Sequence, residues 1–379
     1  MKNGIYKIRK LKKQKIVSLF WIYLLTIFNF IILFSFFSPS KGILISEIHI
    51  IIEGSGMQQI INQNFNPQPN EVLVNGILDS CDYRCDLKNN GLNNITLKFN
   101  QEIITCQNMF DGCSQIIEID LSNFDSSNVK NMNKMFYGCK KLTKINFGNI
   151  NTSSVEDMSS MFFECESLKF IDLSKFDTSS VTNMEEMFKR CNKLRSIDLS
   201  SFNTSKVENM YDLFNSCGEL LTANLSSFDT SKVTKFHGIF SYCKKLIYLD
   251  LKNFDGSSCS SEFGYMFDSC ELVYLNMKSF KIIGTNVINT NTAPKKLEYF
   301  CVDDTTIKDI LAIHYTHFDC SNICFEENIK IDQSQTKCIK SCSDNNFLYE
   351  YNNICMNECP EGTQKILKNE IIICTINYK

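Results

Sequence analysis

The sequence predicts an α/β solenoid. Parallel strands would line a concave face and short helices a convex face, with an N-terminal β cap module and a C-terminal disulfide-rich module at the ends. Two observations carry that expectation. A cysteine returns every 26 residues (Cys113, Cys139, Cys165, Cys191, Cys217, Cys243), each preceded by Met-Phe or an equivalent pair such as Leu213/Phe214. A fixed period of this length marks units too small to bury their own apolar face, which therefore stack on their neighbours. Within each unit the apolar rhythm changes from three- and four-residue steps to alternation, the signature of a helix followed by a strand.

The unit 158–183 shows both halves. Val155, Met158, Met161, Phe162, Cys165 and Leu168 fall at helical spacing and would share one face. Ser153 with Glu156, and Ser205 with Glu208, have the spacing of capping boxes at the start of that helix. Leu168, Ile171, Leu173 and Phe176 then follow the pattern of a leucine-rich repeat, with Ile171 and Leu173 pointing inward from a short strand. Asp177-Thr178-Ser179 turns the chain, because such side chains bond their own backbone. Seven leucine-rich repeats are expected over 106–284. The seventh is irregular: Cys259 stands where the others have valine.

The whole unit, Met-x2-Met-Phe-x2-Cys-x2-Leu-x2-Ile-Asp-Leu-Ser-x-Phe-Asp-Thr-Ser-x-Val from Met158 to Val181, resembles the 26-residue repeat of the BspA-like leucine-rich repeat surface proteins. The resemblance covers nearly half of the chain. It implies a cell-surface or secreted protein used in binding or adhesion, with no catalytic residues and no cofactor.

The ends are read separately. Residues 1–15 carry seven Lys or Arg and form a basic tail; 16–37 is an uncharged apolar run. At 1.5 Å per residue that run is about 33 Å long, enough to cross a bilayer as a signal anchor. Small residues at Ser38 and Ser40 also allow a cleaved signal peptide. The positive-inside rule places the basic tail in the cytosol and the rest outside, so the chain is expected to be single-pass or secreted. Residues 41–105 read as the cap module. Ile48, Ile50 and Ile52 alternate along one strand, Val72 and Val74 precede the turn Asn75-Gly76, and Leu92, Ile95, Leu97 and Phe99 make another strand. Such a cap would close the first strand edge. Residues 285–379 hold a last strand and a cysteine framework of Cys301, Cys320, Cys324, Cys338, Cys342, Cys355, Cys359 and Cys374; Cys81 and Cys85 are candidates to staple the cap. Cys355 to Thr363 is similar to cysteine-rich extracellular modules of the furin-like and growth-factor-receptor type.

Chemistry is sparse. The net charge of −3 argues against nucleic acid. No nucleophile elbow, P-loop, zinc-protease motif or dinucleotide fingerprint occurs, so neither an enzyme nor a small-molecule substrate is expected. His314, His317, Cys320 and Cys324 have ligand types for zinc, but in an oxidising compartment the thiols pair instead, and no metal is expected. The recurring cysteines sit beside Met and Phe and read as core thiols. The expected 8–10 Å spacing of neighbouring helices would also hold them too far apart to pair. Asn94, Asn151, Asn203 and Asn224 are sequons that an exported chain would glycosylate.

The candidate binding surface is the strand face. One column runs Asp120, Asn146, Asp172, Asp198, Asn224, Asp250, Asn276. It is either a stacking ladder bonded to nearby backbone or a polar strip for a glycan or protein. The neighbouring column, Glu118, Lys144, Phe170, Ser196, Thr222, Tyr248, Tyr274, varies between repeats as a specificity surface would. Phe170, Asp172, Asp198, Tyr248, Asp250 and Tyr274 are therefore the binding candidates, the three aromatics as exposed anchors. The function predicted is non-catalytic attachment to a protein or glycan at the cell surface. The alternative is a structural coat or cell-wall component with no specific ligand.

Overall fold

The computed structural model describes residues 46–259, 264–278, 280–281, 294, 297 and 299–301, together with short strand segments between 330 and 376. These residues form strands, turns and isolated bridges, and no helix. The strands fall into small separate sheets. The α/β leucine-rich repeat solenoid with helices on its convex face is thus not what forms.

Its replacement is legible in the hydrogen bonds. In the stretch expected to be helical, alternate amides reach forward to the next repeat. Phe110 N donates to Met135 O, Phe136 N to Met161 O, Phe162 N to Met187 O and Phe188 N to Leu213 O, at 2.8–2.9 Å. The amides between them close tight turns: Met161 N donates to Met158 O, Phe163 N to Ser160 O and Cys165 N to Phe162 O. An α-helix would need each of these amides to bond four residues back. Two left-handed residues per repeat also break any helical run, such as Ser160 (φ 52°) and Glu164 (φ 57°), then Glu186 (φ 55°) and Arg190 (φ 61°). The expected capping boxes are turns as well. Ser153 N bonds Asn151 Oδ1 and Ser205 N bonds Asn203 Oδ1, and no helix follows either.

The apolar spacing still does its work, because three-residue turns bring the same side chains inward. Phe110, Phe136, Phe162, Phe188, Phe214, Phe240 and Phe267 form one pile of near-parallel rings, with centroids 5.4–6.3 Å apart. The recurring cysteines are fully buried and carry no disulfide. Each thiol from Cys139 to Cys243 donates to a phenylalanine carbonyl of the preceding repeat, at 3.1–3.3 Å. Burial pushes all their pKa values up. Helix spacing is not what keeps them unpaired, since the repeats lie at strand-like spacing, about 4.8 Å.

Two further columns join the repeats. Buried Thr152, Thr178, Thr204 and Thr230 each donate a hydroxyl proton to a carbonyl 25 residues ahead and accept the amide of that same residue. Asn131, Asp157, Asn183, Asn209 and Lys235 are linked by parallel bridges one repeat apart.

The N-terminal module is a twisted sheet. β1 (Ser46–Glu53) lies between β6 (Leu92–Phe99) and β7 (Ile116–Asn123), antiparallel to both. Outside β6 lies the hairpin of β3 (Glu71–Val74) and β4 (Ile77–Asp79), whose Asn75 (φ 51°) and Gly76 (φ 81°) make the two-residue turn. Outside β7 lies β8 (Lys144–Asn146), in parallel, so the order is β4-β3-β6-β1-β7-β8. The expected strands of the cap are present, and β1 covers the edge of the first repeat strand. A separate two-stranded sheet pairs β2 (Gly56–Gln59) with β5 (Arg84–Leu87), and Cys81–Cys85 is a disulfide.

The other repeat strands are three residues long. β9 (Ser196–Asp198) pairs with β10 (Thr222–Asn224), and β11 (Tyr248–Asp250) with β12 (Tyr274–Asn276) and β13 (Tyr299–Cys301). Residues 170–172 form no strand, which interrupts what was expected to be one continuous sheet. A last six-stranded sheet gathers segments between Lys330 and Ile376. Cys301 is buried and disulfide-bonded. The pairing of Cys320, Cys324, Cys338, Cys342, Cys355, Cys359 and Cys374, the residues His314 and His317 that carry zinc-ligand chemistry, and the 16–37 run lie outside the described residues and side chains. Among the described residues no helix is long and apolar enough to cross a membrane.

Candidate functional site

Alternation in β1 puts Ile48, Ile50 and Ile52 in the core and turns Glu47, His49 and Ile51 to the opposite face. The same rule turns Asn94, Thr96 and Lys98 of β6 and Glu118 and Asp120 of β7 to that face. Strand register then aligns them. One row crosses five strands as Leu73, Thr96, His49, Asp120, Asn146; the next runs Asn94, Ile51, Glu118, Lys144.

These rows border a groove of about 420 Å³, lined by His49, Ile51, Asn94, Glu118, Asp120, Lys144 and Asn146 over an isoleucine floor. The β1–β7 pairing shifts register twice, between Glu47 and His49 and between Ile51 and Ile52. Bulges of this kind increase local twist and bend the sheet, a physical origin for a concavity at this pair.

The polar groups are held by one another. His49 Nδ1 and Thr96 Oγ1 share a hydrogen bond at 3.1 Å, and His49 Nε2 stands 3.8 Å from Glu47. Lys98 lies between Glu47 (3.6 Å) and Glu71 (3.7 Å), and Lys144 is 3.9 Å from Glu118. Burial works to raise the Asp120 pKa, but hydrogen bonds from the Ser122 hydroxyl and amide and from Asn146 outweigh it and hold the carboxyl below its usual range. The groove therefore offers an ionised carboxylate, an ammonium, an imidazole and two amides on rigid strands. That set can bind hydroxyls, amides or a charge pair.

The predicted binding residues are not gathered into one site. Asp198 is exposed; Phe170, Asp172, Tyr248 and Asp250 are half-buried. Tyr274 is 0 % exposed and packs with Ile247 and Tyr248, so it is no surface anchor. The Asp/Asn column has a structural role along its whole length. The side-chain oxygens of Asp120, Asn146, Asp172, Asp198, Asn224, Asp250 and Asn276 each accept the amide two residues on, at 2.8–3.3 Å. The polar, accessible end of the strand face is the N-terminal one, where Lys144 and Asn146 are exposed. His49 and Asn94 line this groove but are not among the binding candidates read from the sequence. The signal was the alternation of β1, which already put His49 on the face away from the core. Of the sequons, Asn94, Asn151 and Asn203 are exposed and Asn224 half-buried.

A family model described as a Mycoplasma protein of unknown function, DUF285, matches residues 104–220 and 195–303. Together these segments span more than half of the 379 residues. The chain belongs to the DUF285 family. The DUF285 match takes in the stacked repeats and the β7 and β8 side of the groove, while His49 and Asn94 come from residues ahead of it. No curated protein and no solved structure matches this chain.

Proposed function

We propose that this chain is a non-catalytic cell-surface or secreted protein that binds a protein or glycan partner through the outer face of its N-terminal six-stranded sheet, in adhesion or contact with its surroundings. The groove between β1 and β7 carries the proposal: it combines a cavity, rigid strands and mixed polar groups. The basic tail and the 16–37 run support export, as do the Cys81–Cys85 disulfide and the likeness of the repeat to surface-protein repeats. Asn94 is both a sequon and a groove residue, so a glycan there would compete with a ligand.

The test uses the full-length protein on a glycan microarray and on immobilised extracellular proteins. The double variant His49→Ala, Lys144→Ala is expected to bind at least tenfold more weakly with a nearly unchanged melting temperature. Binding equal to the parent would move the site off this sheet.

A further inference from the structure

The charges around the groove do not balance. Lys144 stands 3.9 Å from Glu118, and Lys98 lies between Glu47 at 3.6 Å and Glu71 at 3.7 Å. Each of these ammoniums is thus already matched to a carboxylate. Asp120 is left over. Its carboxyl is held by neutral donors, the Ser122 hydroxyl and amide and the Asn146 side chain, and among the described residues no lysine or arginine pairs with it. Across the β1–β7 pair it faces His49, whose Nδ1 is engaged with Thr96.

Beside that charge the groove is apolar. Ile51 is half-buried and lies in the row between Asn94 and Glu118, next to the row that holds Asp120. The His49 imidazole is the single ring on the lining. A sugar, which lays its C–H face on a flat aromatic ring, finds no such platform here. A long basic side chain suits both parts, because its methylenes cover apolar surface while its head reaches a carboxylate. A volume of about 420 Å³ holds such a side chain together with the main chain that carries it.

We propose that the groove takes a lysine or arginine side chain of a partner protein, its stem over Ile51 and its charged head at Asp120. This rests on the reading of the groove as the binding site, and it narrows the partner from a protein or glycan to a basic protein segment. The Lys144 ammonium and the Asn94 and Asn146 amides are the donors that meet main-chain carbonyls on either side of the basic residue. A carboxylate without a cation of its own steers and selects a partner that brings one. Binding should accordingly weaken as salt is added.

The experiment pans a displayed library of random twelve-residue peptides on the full-length chain, alongside the Asp120→Asn variant. That substitution removes the charge and keeps the oxygen that accepts the Ser122 amide; Asn already stands at positions 146, 224 and 276 of the same column. The proteins are made in bacteria, so that Asn94 and the Asn-Leu-Ser sequence the variant creates carry no glycan. Selected peptides are expected to share a lysine or arginine whose exchange for Gln abolishes binding. They should bind at least tenfold more weakly to Asp120→Asn and unchanged to Glu219→Gln, which removes an exposed carboxylate far along the stack. Peptides without a basic residue, or indifferent to Asp120→Asn, would overturn the proposal. If they were still lost on the double variant His49→Ala, Lys144→Ala, the groove would remain the binding site with another class of partner. If they were indifferent to that variant too, the groove reading would fall with it. Selection of no peptide, with a glycan bound instead and lost on Asp120→Asn, would likewise overturn the basic-segment proposal and leave the groove.

Discussion

At the scale of single residues, the Asp/Asn column fits the first of its two sequence readings, a ladder bonded to nearby backbone. Its acids and amides hold their own backbone, and that purpose sets the residue type. Asp250 carries a cost: burial raises its pKa, against the opposing Lys252 amide bond and Lys252 charge. A raised carboxyl pKa means the fold disfavours the charged form, fully above the folded value and not at all well below the unfolded one. Asp250→Asn keeps the acceptor that the turn needs. It is expected to raise the melting temperature at pH 7, with the gain fading as the pH falls toward 4. Asn already occupies positions 146, 224 and 276 of that column. The threonine ladder gives a sharper effect. Thr178 Oγ1 both donates to Asn203 O (3.0 Å) and accepts Asn203 N (2.8 Å), so Thr178→Val takes this partner from two part-buried backbone groups. It should destabilise by about 1–2 kcal/mol in urea unfolding, and Thr178→Ser by much less. The ladder cysteines were legible as core, and Cys165→Ala should cost about 1 kcal/mol. Alkylation should label Cys165 only after denaturation, since it is buried and its pKa is raised.

At the scale of elements, strands in the cap were legible and the repeat helix was misread. Alternation in Ile48, Ile50 and Ile52 has one structural solution, a strand. Spacing of three and four in Met158, Met161, Phe162 and Cys165 has two, because consecutive three-residue turns point the same side chains inward. The backbone decides between them, through left-handed residues that the sequence marks with glycine only at places such as Gly112, Gly138 and Gly238. Elsewhere Lys, Ser, Glu, Arg, Asp and Tyr take that conformation. Ser269 (φ 56°) is exposed and separates the alternatives. In a helix Ser269→Gly would destabilise by about 0.5 kcal/mol; at a left-handed turn position it should stabilise by up to about 1 kcal/mol. Gly148 gives the opposite case. A Cβ there would lie 2.4 Å from Ser122 Cα, at φ 56°, so Gly148→Ala should lower the melting temperature and disturb β8 beside the groove.

At the scale of the whole molecule, the repeats hold one another through bonds one repeat long, and the N-terminal sheet caps that stack while presenting the groove. The 26-residue period made the stacking legible. The groove was not, because it depends on the pairing of β1 with β7, residues far apart in sequence. Turns that hold carboxylates give the stack an acid limit. Hydrogen bonds from the Ser179 hydroxyl and amide lower the Asp177 pKa, and those from Ser231 lower that of Asp229. Depressed carboxyl pKa values contribute stability that is complete above the ordinary aspartate range and lost as the pH falls through the folded values. Thermal stability should therefore drop below about pH 4. The stacking itself is tested most directly by scalar couplings across hydrogen bonds in the deuterated protein. The Phe162 amide nitrogen should couple to the Met187 carbonyl carbon, one repeat ahead, and Phe188 to Leu213. Coupling of Phe162 to the Met158 carbonyl, four residues back, would mean that the repeat is helical and contradict the turn-built stack.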